Sequence, residues 1–419
     1  MSLIEIPRKS KVSASIEIPG SKSLTHRALI LSFLSNSRCL IKNPSLCEDT
    51  LSTLRALRLL GSHATINPDS ILLDATAISI PEGDKILDVG ESGTTLRLIL
   101  GVLAIFPCRV HIKGRGRLNK RPVGPLAMAL QKMGASITWH HKEGCLPLTV
   151  EGKRPKGGTV RIYGGESSQY ISSLMLVGPL LDRGLRLVVE GPFLSRPYVE
   201  MTAGIMESFG AEVEFEDHIV EIRPGGYRGS KIYHVEPDLS NASYFMGLPL
   251  LVGGKILIRG LFKNSLQGDL GILRLIEEMG GKCGVEEEGI WVEGGEIRNI
   301  EADMGDMPDL VPTIGAVAVH AEGPTKIWNV PHLRIKESDR IESICREWQK
   351  LHVETTPMED GLVVHGKGGY KGSTVHSHGD HRIAMAIALL ASRGGGVRLS
   401  GHEVVKKSFP GFWDTWFSL

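Results

Sequence analysis

Six loops of the chain place a cation at or just before the start of a helix-like segment: Lys22, Arg121, Arg196, Lys336, Arg382 and Lys407. They lie in GSKSLTHR, KGRGRLNKRP, FLSRPYVE, HLRIKESDR, GDHRIAMA and VVKKSFP, with Pro122 and Pro197 expected at the first helical position. A helix N-terminus already carries partial positive charge, so a cation there costs ~0.3–1 kcal/mol. One such residue reads as a solvated surface side chain. Six in equivalent places read as cations and free backbone N–H groups offered to an external anion. Neutral donors accompany them: Ser21 and Ser23; Ser92, Gly93 and Thr94; Ser167, Ser168 and Gln169. A glycine between hydroxyl residues lets backbone N–H groups reach phosphate oxygens, although such clusters also serve as helix caps. Ser23 and Arg27, like Lys336 and Arg340, share a helical face at i, i+4.

Carboxylates near these cations are few. Asp309 reads as a helix N-cap or as a general acid or base, and Glu337 as an i, i+3 partner of Arg340 or as a proton-transfer group. Neighbouring cations lower a carboxyl pKa and desolvation raises it, so both readings stay open. His376, His378 and His381 in HSHGDH match no standard zinc spacing and read better as a turn into a helix. The phosphate-loop, nucleophile-elbow, H-E-x-x-H and dinucleotide fingerprints are missing from the sequence. Neither metal nor cofactor is expected.

These residues need elements to position them, and self-comparison supplies the pattern. An amphipathic helix running into a strand recurs as TLRALRLLGSHATI, PLAMALQKMGASITW, MTAGIMESFGAEVEF and LGILRLIEEMGGKCGV. Gly61, Gly134, Gly210 and Gly280 punctuate these at intervals of roughly 70–76 residues and read as helix C-caps. A fifth copy, IESICREWQKLHVETT, has His352 in the glycine slot. In the same register, polar loops near residues 20, 90, 164, 237, 308 and 379 lead into helices apolar nearly all round, which marks them as buried. The expectation is an α/β fold of six modules, each strand–buried helix–strand–surface helix–strand, in two lobes of three. The boundaries are read at 1–19 plus 237–419 for a discontinuous first lobe and 20–236 for the second. A net charge of +1 supplies no field for nucleic acid, and the longest apolar runs are too short to span a bilayer. Six scattered cysteines and an N-terminus without an apolar core suit a reducing, cytoplasmic address.

Taken together, PGSKSLTHRA, ESGTTLR, RPVGPL, SSQY, SRPYVE, PDLSNASYF, QGD, MPDLVPT, RIKESDRI, GDHRIAMA and KSFPGF closely resemble the enolpyruvyl transferase family, in its 3-phosphoshikimate 1-carboxyvinyltransferase (EPSP synthase) branch. The resemblance covers essentially the whole chain. It implies two lobes of three βαβαββ modules closing over substrates at a hinge. It also implies addition of the 5-hydroxyl of shikimate 3-phosphate to C2 of phosphoenolpyruvate, then loss of phosphate, with glyphosate as an inhibitor at the phosphoenolpyruvate site. By the same resemblance Lys22, Ser23, Arg27, Ser167, Ser168, Gln169, Ser195, Tyr198, Asp309, His332 and Lys336 would hold shikimate 3-phosphate. Lys22, Gly93, Arg121, Gln169, Arg340, Arg382 and Lys407 would hold phosphoenolpyruvate. Asp309 resembles the proton acceptor and Glu337 the group that protonates the methylene carbon, with Lys22 beside them as the third catalytic residue.

Two positions depart from the commonest pattern: Glu91 and His332 stand where asparagine is usual. Two alternatives remain. The UDP-N-acetylglucosamine 1-carboxyvinyltransferase branch shares the chemistry but usually has K-N where this chain has Lys22-Ser23, and a loop cysteine missing from KGRGRLNKRPVG. A non-catalytic scaffold for anions or nucleic acid would not need Asp309 and Glu337 among the cations. The leading expectation is a monomer acting on two small molecules, with neither nucleic acid nor membrane as partner. Turnover should therefore survive exhaustive chelation. Loss with EDTA and recovery with zinc or magnesium would overturn that expectation.

Overall fold

The computed structural model describes residues 2–80 and 82–419. Two compact units emerge, one formed by the chain up to Pro19 together with Glu236–Leu419, the other by Gly20–Val235. They are called here the first and second lobe. The chain passes between them at two points, after Pro19 and after Val235. At the first, a Cβ on Gly20 would collide with the Asn43 carbonyl, so only glycine fits.

Buried and surface helices alternate along each lobe. In the second they are α1 (Lys22–Leu34), α2 (Glu48–Leu59), α3 (Gly93–Ile105), α4 (Gly124–Lys132), α5 (Ser168–Val177) and α6 (Arg196–Ser208). In the first they are α7 (Leu239–Val252), α8 (Ile272–Glu278), α9 (Val311–Ala318), α10 (Arg340–Lys350), α11 (His381–Ala391) and α12 (Phe412–Phe417). Helices α1, α3 and α5 pack on one another and are buried along their whole length except at the second residue: Ser23, Thr94 and Gln169. Apolar residues all round each helix leave no other face to expose.

The modules are built alike. Asp84–Asp88 pairs parallel with Arg109–Lys113 across α3, and α4 then leads to a hairpin that adds two antiparallel strands. Five such four-stranded sheets are present among the described residues. Two of them borrow a strand from a distant part of the chain. Val12–Ile16 pairs with Gly254–Arg259 in the first lobe, and Ile232–His234 pairs with Arg38–Lys42 in the second. The sixth module departs from the expected βαβαββ pattern. Its sheet has three strands, Thr374–His376, Val397–Ser400 and the N-terminal Leu3–Ile6, because α12 follows in place of a hairpin.

The helix-ending slot keeps its backbone in every copy. Gly61, Gly134, Gly210 and Gly280 have φ of 97°, 112°, 79° and 92°, and His352 adopts φ 60°. The degenerate copy thus retains the left-handed turn at a steric cost that glycine avoids. Two substitutions test this. Gly134→Ala, where a methyl meets no neighbour, should lose roughly 1–2 kcal/mol from backbone strain alone. His352→Gly, at an exposed position, should gain up to about 1 kcal/mol. Denaturant titrations that give both the same sign would refute a conformational origin.

Candidate active site

In the second lobe the starts of the three buried helices are capped by neutral residues. The hydroxyls of Ser21, Ser92 and Ser167 accept from the backbone N–H groups of Leu24, Thr95 and Gln169. Such caps leave the helix dipoles uncompensated by charge. Lys22 occupies the first position of α1, buried, with Nζ 3.1 Å from Asp49 of α2. Arg27, one turn on, is also buried. It donates to the Thr202 hydroxyl (2.8 Å), the Ser23 carbonyl (2.9 Å), the Ser172 hydroxyl (3.1 Å) and the Tyr198 carbonyl (3.2 Å). All four acceptors are neutral, and burial lowers the guanidinium only to about 10, so it stays charged at neutral pH. A buried cation among neutral acceptors is suited to an incoming anion.

Arg121 reaches Gly93. A Cβ built on Gly93 would lie 2.6 Å from Arg121 Nη1, so the guanidinium rests on the bare backbone of the α3 start. Gln169 ties this loop to α5. Its amide donates to Thr94 Oγ1 (3.0 Å) and its carbonyl accepts from Arg97 Nη1 (3.0 Å), while Arg97 also lies 5.5 Å above the Tyr170 ring. Ser168 is buried beside Ser167, Ser195 holds a left-handed φ of 55° at the cap of α6, and Tyr198 is half-buried in its first turn. Glu91 is exposed, its carboxylate lying where a side chain on Gly116 would otherwise project.

The first lobe uses acids where the second uses serines. Asp238 and Asp380 cap α7 and α11, accepting from Asn241 N (2.9 Å) and Arg382 N (3.0 Å). Asp309 occupies the equivalent place but sits in the 3₁₀ turn Pro308–Leu310, and the residue three further on is Pro312, which has no N–H to donate. The N-cap reading of Asp309 therefore fails, and its carboxylate turns to Arg340 Nη1 (2.8 Å) and Arg382 Nη2 (2.6 Å). Arg340, almost fully buried at the start of α10, also binds Glu337 (2.8 Å, the i, i+3 pair) and Asp380 (2.8 Å). Burial alone would push Asp309 up. Arg382, Arg340 and Lys336 outweigh it and hold the carboxyl well below the usual range. The base form wins. His332 is buried, and burial, helped by Lys336, lowers it to about 3, so its imidazole is neutral. Lys407 is buried at the end of the 3₁₀ turn His402–Lys407.

Two expectations are corrected. Arg121, Lys336 and Lys407 do not start helices; each lies at the end of a 3₁₀ turn ahead of one, and Pro122 precedes α4 altogether. Arg196 does begin α6, with Pro197 second, but it faces outward, paired with Glu200 at 2.8 Å and lying over Phe193 and Phe215. Of the six cations only Lys22, Arg196 and Arg382 lie in the first turn of a helix, and Arg196 is turned away to Glu200. Asp49, Arg97 and Asp269 were missed. Asp49 and Arg97 carry no local anomaly in sequence, being ordinary residues of helical patterns. Asp269 lies in the QGD segment, buried, and accepts from the Ser240 hydroxyl. Among the described residues no group of three metal-ligating side chains is found, and no helix is long and apolar enough to cross a membrane.

The sequence matches the family model of EPSP synthase (3-phosphoshikimate 1-carboxyvinyltransferase) over residues 6–416. The chain is 37% identical to the 3-phosphoshikimate 1-carboxyvinyltransferase of Methanothermobacter thermautotrophicus over 410 residues, 98% of this chain and 96% of that one. Against the protein of the same name from Trichormus variabilis it is 33% identical over 424 residues, covering 100% and 99%. The fold is similar to that of EPSP synthase from Acinetobacter baumannii, with a TM-score of 0.81 at 26% identity over 98% of this chain and 97% of that one.

The electrostatics of the first-lobe cluster yield a measurable pH effect. Burial, and then repulsion from Asp309, push Asp269 up to about 7. The folded protein therefore keeps a proton that the unfolded chain releases near 4, and this group withdraws stability as pH rises from about 4 to about 7. Asp269→Asn, which can still accept from Ser240, should raise Tm relative to the parent by an amount that grows between pH 5 and pH 7 and then levels off. A difference independent of pH would show that Asp269 is ionised throughout.

Proposed function

We propose, for a chain that belongs to the EPSP synthase (3-phosphoshikimate 1-carboxyvinyltransferase) family, that the clusters of its two lobes supply the groups that bind and protonate in that reaction. The enzyme moves the enolpyruvyl group of phosphoenolpyruvate to the 5-hydroxyl of shikimate 3-phosphate and releases phosphate, a step of the shikimate pathway to aromatic amino acids. The UDP-N-acetylglucosamine branch and the non-catalytic scaffold are not favoured. A single polypeptide working in the cytoplasm completes this reading.

One observation carries the assignment of roles: the Asp309 carboxylate lies between two guanidiniums, 2.8 Å from Arg340 and 2.6 Å from Arg382. A carboxylate held that firmly is ionised but a poor base. An anionic substrate that engages Arg340, Arg382 and Lys407 competes for the same cations and weakens their hold on Asp309, whose basicity rises as the site fills. Asp309 then accepts the proton of the 5-hydroxyl as its oxygen bonds to C2 of phosphoenolpyruvate, and Glu337 gives a proton to the methylene carbon. In the second step the resulting methyl group returns a proton to a carboxylate of this pair, the C2–O bond to phosphate breaks and phosphate leaves with its electron pair. Lys22, Gly93, Arg121 and Gln169 receive the phosphate, the first and third neutralising its charge.

Shikimate 3-phosphate is assigned to Lys22, Ser23, Arg27, Ser167, Ser168, Gln169, Ser195 and Tyr198, with Asp309, His332 and Lys336. Arg27 supports this most directly, as a buried cation whose acceptors are all neutral. Neutral His332 can donate one N–H to an oxygen of the ligand. Arg97, bound to Gln169, holds the amide that reaches both substrates.

Release of phosphate that requires both substrates tests the reaction, and two isosteric variants test the roles. Glu337→Gln and Asp309→Asn should each lower kcat by roughly 10²-fold or more, the scale of general acid–base catalysis. Calorimetric affinity for shikimate 3-phosphate should change far less. Near-normal turnover in either variant would make that residue a structural partner of Arg340 only.

A further inference from the structure

Helix α10 carries Arg340 at its start and Glu347 two turns later, and both side chains face the loop that runs from Thr374–His376 into α11. Arg340 grips that loop at Asp380. Glu347 grips it at HSH. The Glu347 side chain is fully buried, and both oxygens are engaged. One accepts from the His376 backbone N–H (2.8 Å), the other from His378 Nε2 (2.6 Å), and Lys350 Nζ reaches each at 2.8 Å. Burial would raise this carboxyl, but the bonds from His378, Lys350 and His376 outweigh it and keep it below its ordinary value. The loop folds back on itself over this anchor. His376 Nδ1 accepts from the His378 backbone N–H at 2.7 Å, and His378 takes a left-handed φ of 55° that histidine seldom adopts. Asp380 N then donates to the Ser377 carbonyl (2.9 Å), and the Asp380 side chain receives Arg382 N.

We infer that Glu347 is a positioning residue for the phosphoenolpyruvate end of the reaction: by clamping His376 and His378 it sets the loop from which Asp380 and Arg382 project. The inference rests on the reading above that Arg340 and Arg382 hold that substrate. A fully buried carboxylate is a costly way to fill space, since an apolar side chain of similar volume needs no such set of donors. What it offers instead is a fixed point for a backbone N–H and an imidazole. Helix α10 thus holds one loop at two places with opposite charges, Arg340 on an acid and Glu347 on two histidines. The guanidinium of Arg382 is placed from both.

Four variants in the full-length enzyme test this: Glu347→Leu, Glu347→Gln, His378→Asn and, as a reference, Arg382→Gln. Asparagine tolerates the left-handed backbone but is too short to reach Glu347. Glutamine can still accept from His376 N–H and donate to an imidazole nitrogen. Glu347→Leu and His378→Asn should raise KM for phosphoenolpyruvate by roughly ten- to a hundredfold, the scale of a misplacement near 1 Å. Calorimetric affinity for shikimate 3-phosphate, which also certifies folding, should be unchanged, and Glu347→Gln should restore most of the loss. If Glu347→Leu does not fold, His378→Asn decides alone. An unchanged KM for phosphoenolpyruvate in His378→Asn, with Arg382→Gln impaired, overturns the inference and leaves the site reading standing. An unchanged KM in Arg382→Gln as well overturns both. Equal weakening towards both substrates would make Glu347 a general stabiliser and also overturn the inference.

Discussion

A helix buried along its whole length still has to satisfy the first N–H groups of its backbone, and the residue that does so sets the charge at that end. Here six buried helices begin at equivalent points of a repeated module. The second lobe places Ser21, Ser92 and Ser167 there, and the first places Asp238 and Asp380 there, with Asp309 close to the start of the helix between them. Neutral caps leave three positive helix ends, and the lobe adds Lys22, Arg27 and Arg121 to them. Acidic caps cancel the helix charge, so the first lobe must bring guanidiniums to balance its acids. The two lobes thus meet the same backbone need with different chemistry, hydroxyls in one and carboxylates in the other.

The middle aspartate shows how finely local sequence controls this. Pro312 withholds the N–H that an N-cap at position 309 would use, so Asp309 is released to the arginines while Asp238 and Asp380 remain caps. Arg340 then becomes the hub of the first-lobe cluster, buried against Asp309, Glu337 and Asp380. Its charge cannot be replaced by lysine without loss, because only a planar fork reaches three carboxylates in different directions. Burial makes every interaction in this cluster strong, and it makes each one depend on the others.

Much of the architecture was legible in the sequence, because the module period repeats and buried helices are apolar on every face. The glycine slot was legible even at His352, where the turn persists without glycine. The three-stranded sixth sheet was not, since strand exchange with residues 3–6 leaves no local mark. For the site, Asp309, Glu337, Lys336, Arg340 and Arg382 stood out because cations and acids sit close together in short motifs. Asp49 was hidden because its meaning arises only when α2 brings it to Lys22, and Arg97 because its partner lies in α5. Arg196 misled because position in a repeat fixes where a residue starts and leaves open which way it points. Pairing with Glu200 settled that.

The exchanged strands order events during synthesis. The lobe spanning Gly20–Val235 is continuous, and its borrowed strand Ile232–His234 belongs to its own final stretch. It can therefore complete its sheets as soon as residue 235 leaves the ribosome. The N-terminal strands have no such neighbour. Val12–Ile16 must wait for Gly254–Arg259, and Leu3–Ile6 must wait for Val397–Ser400 near the very end. Leu3–Ile6 therefore has its pairing partner only once Val397–Ser400 has been made.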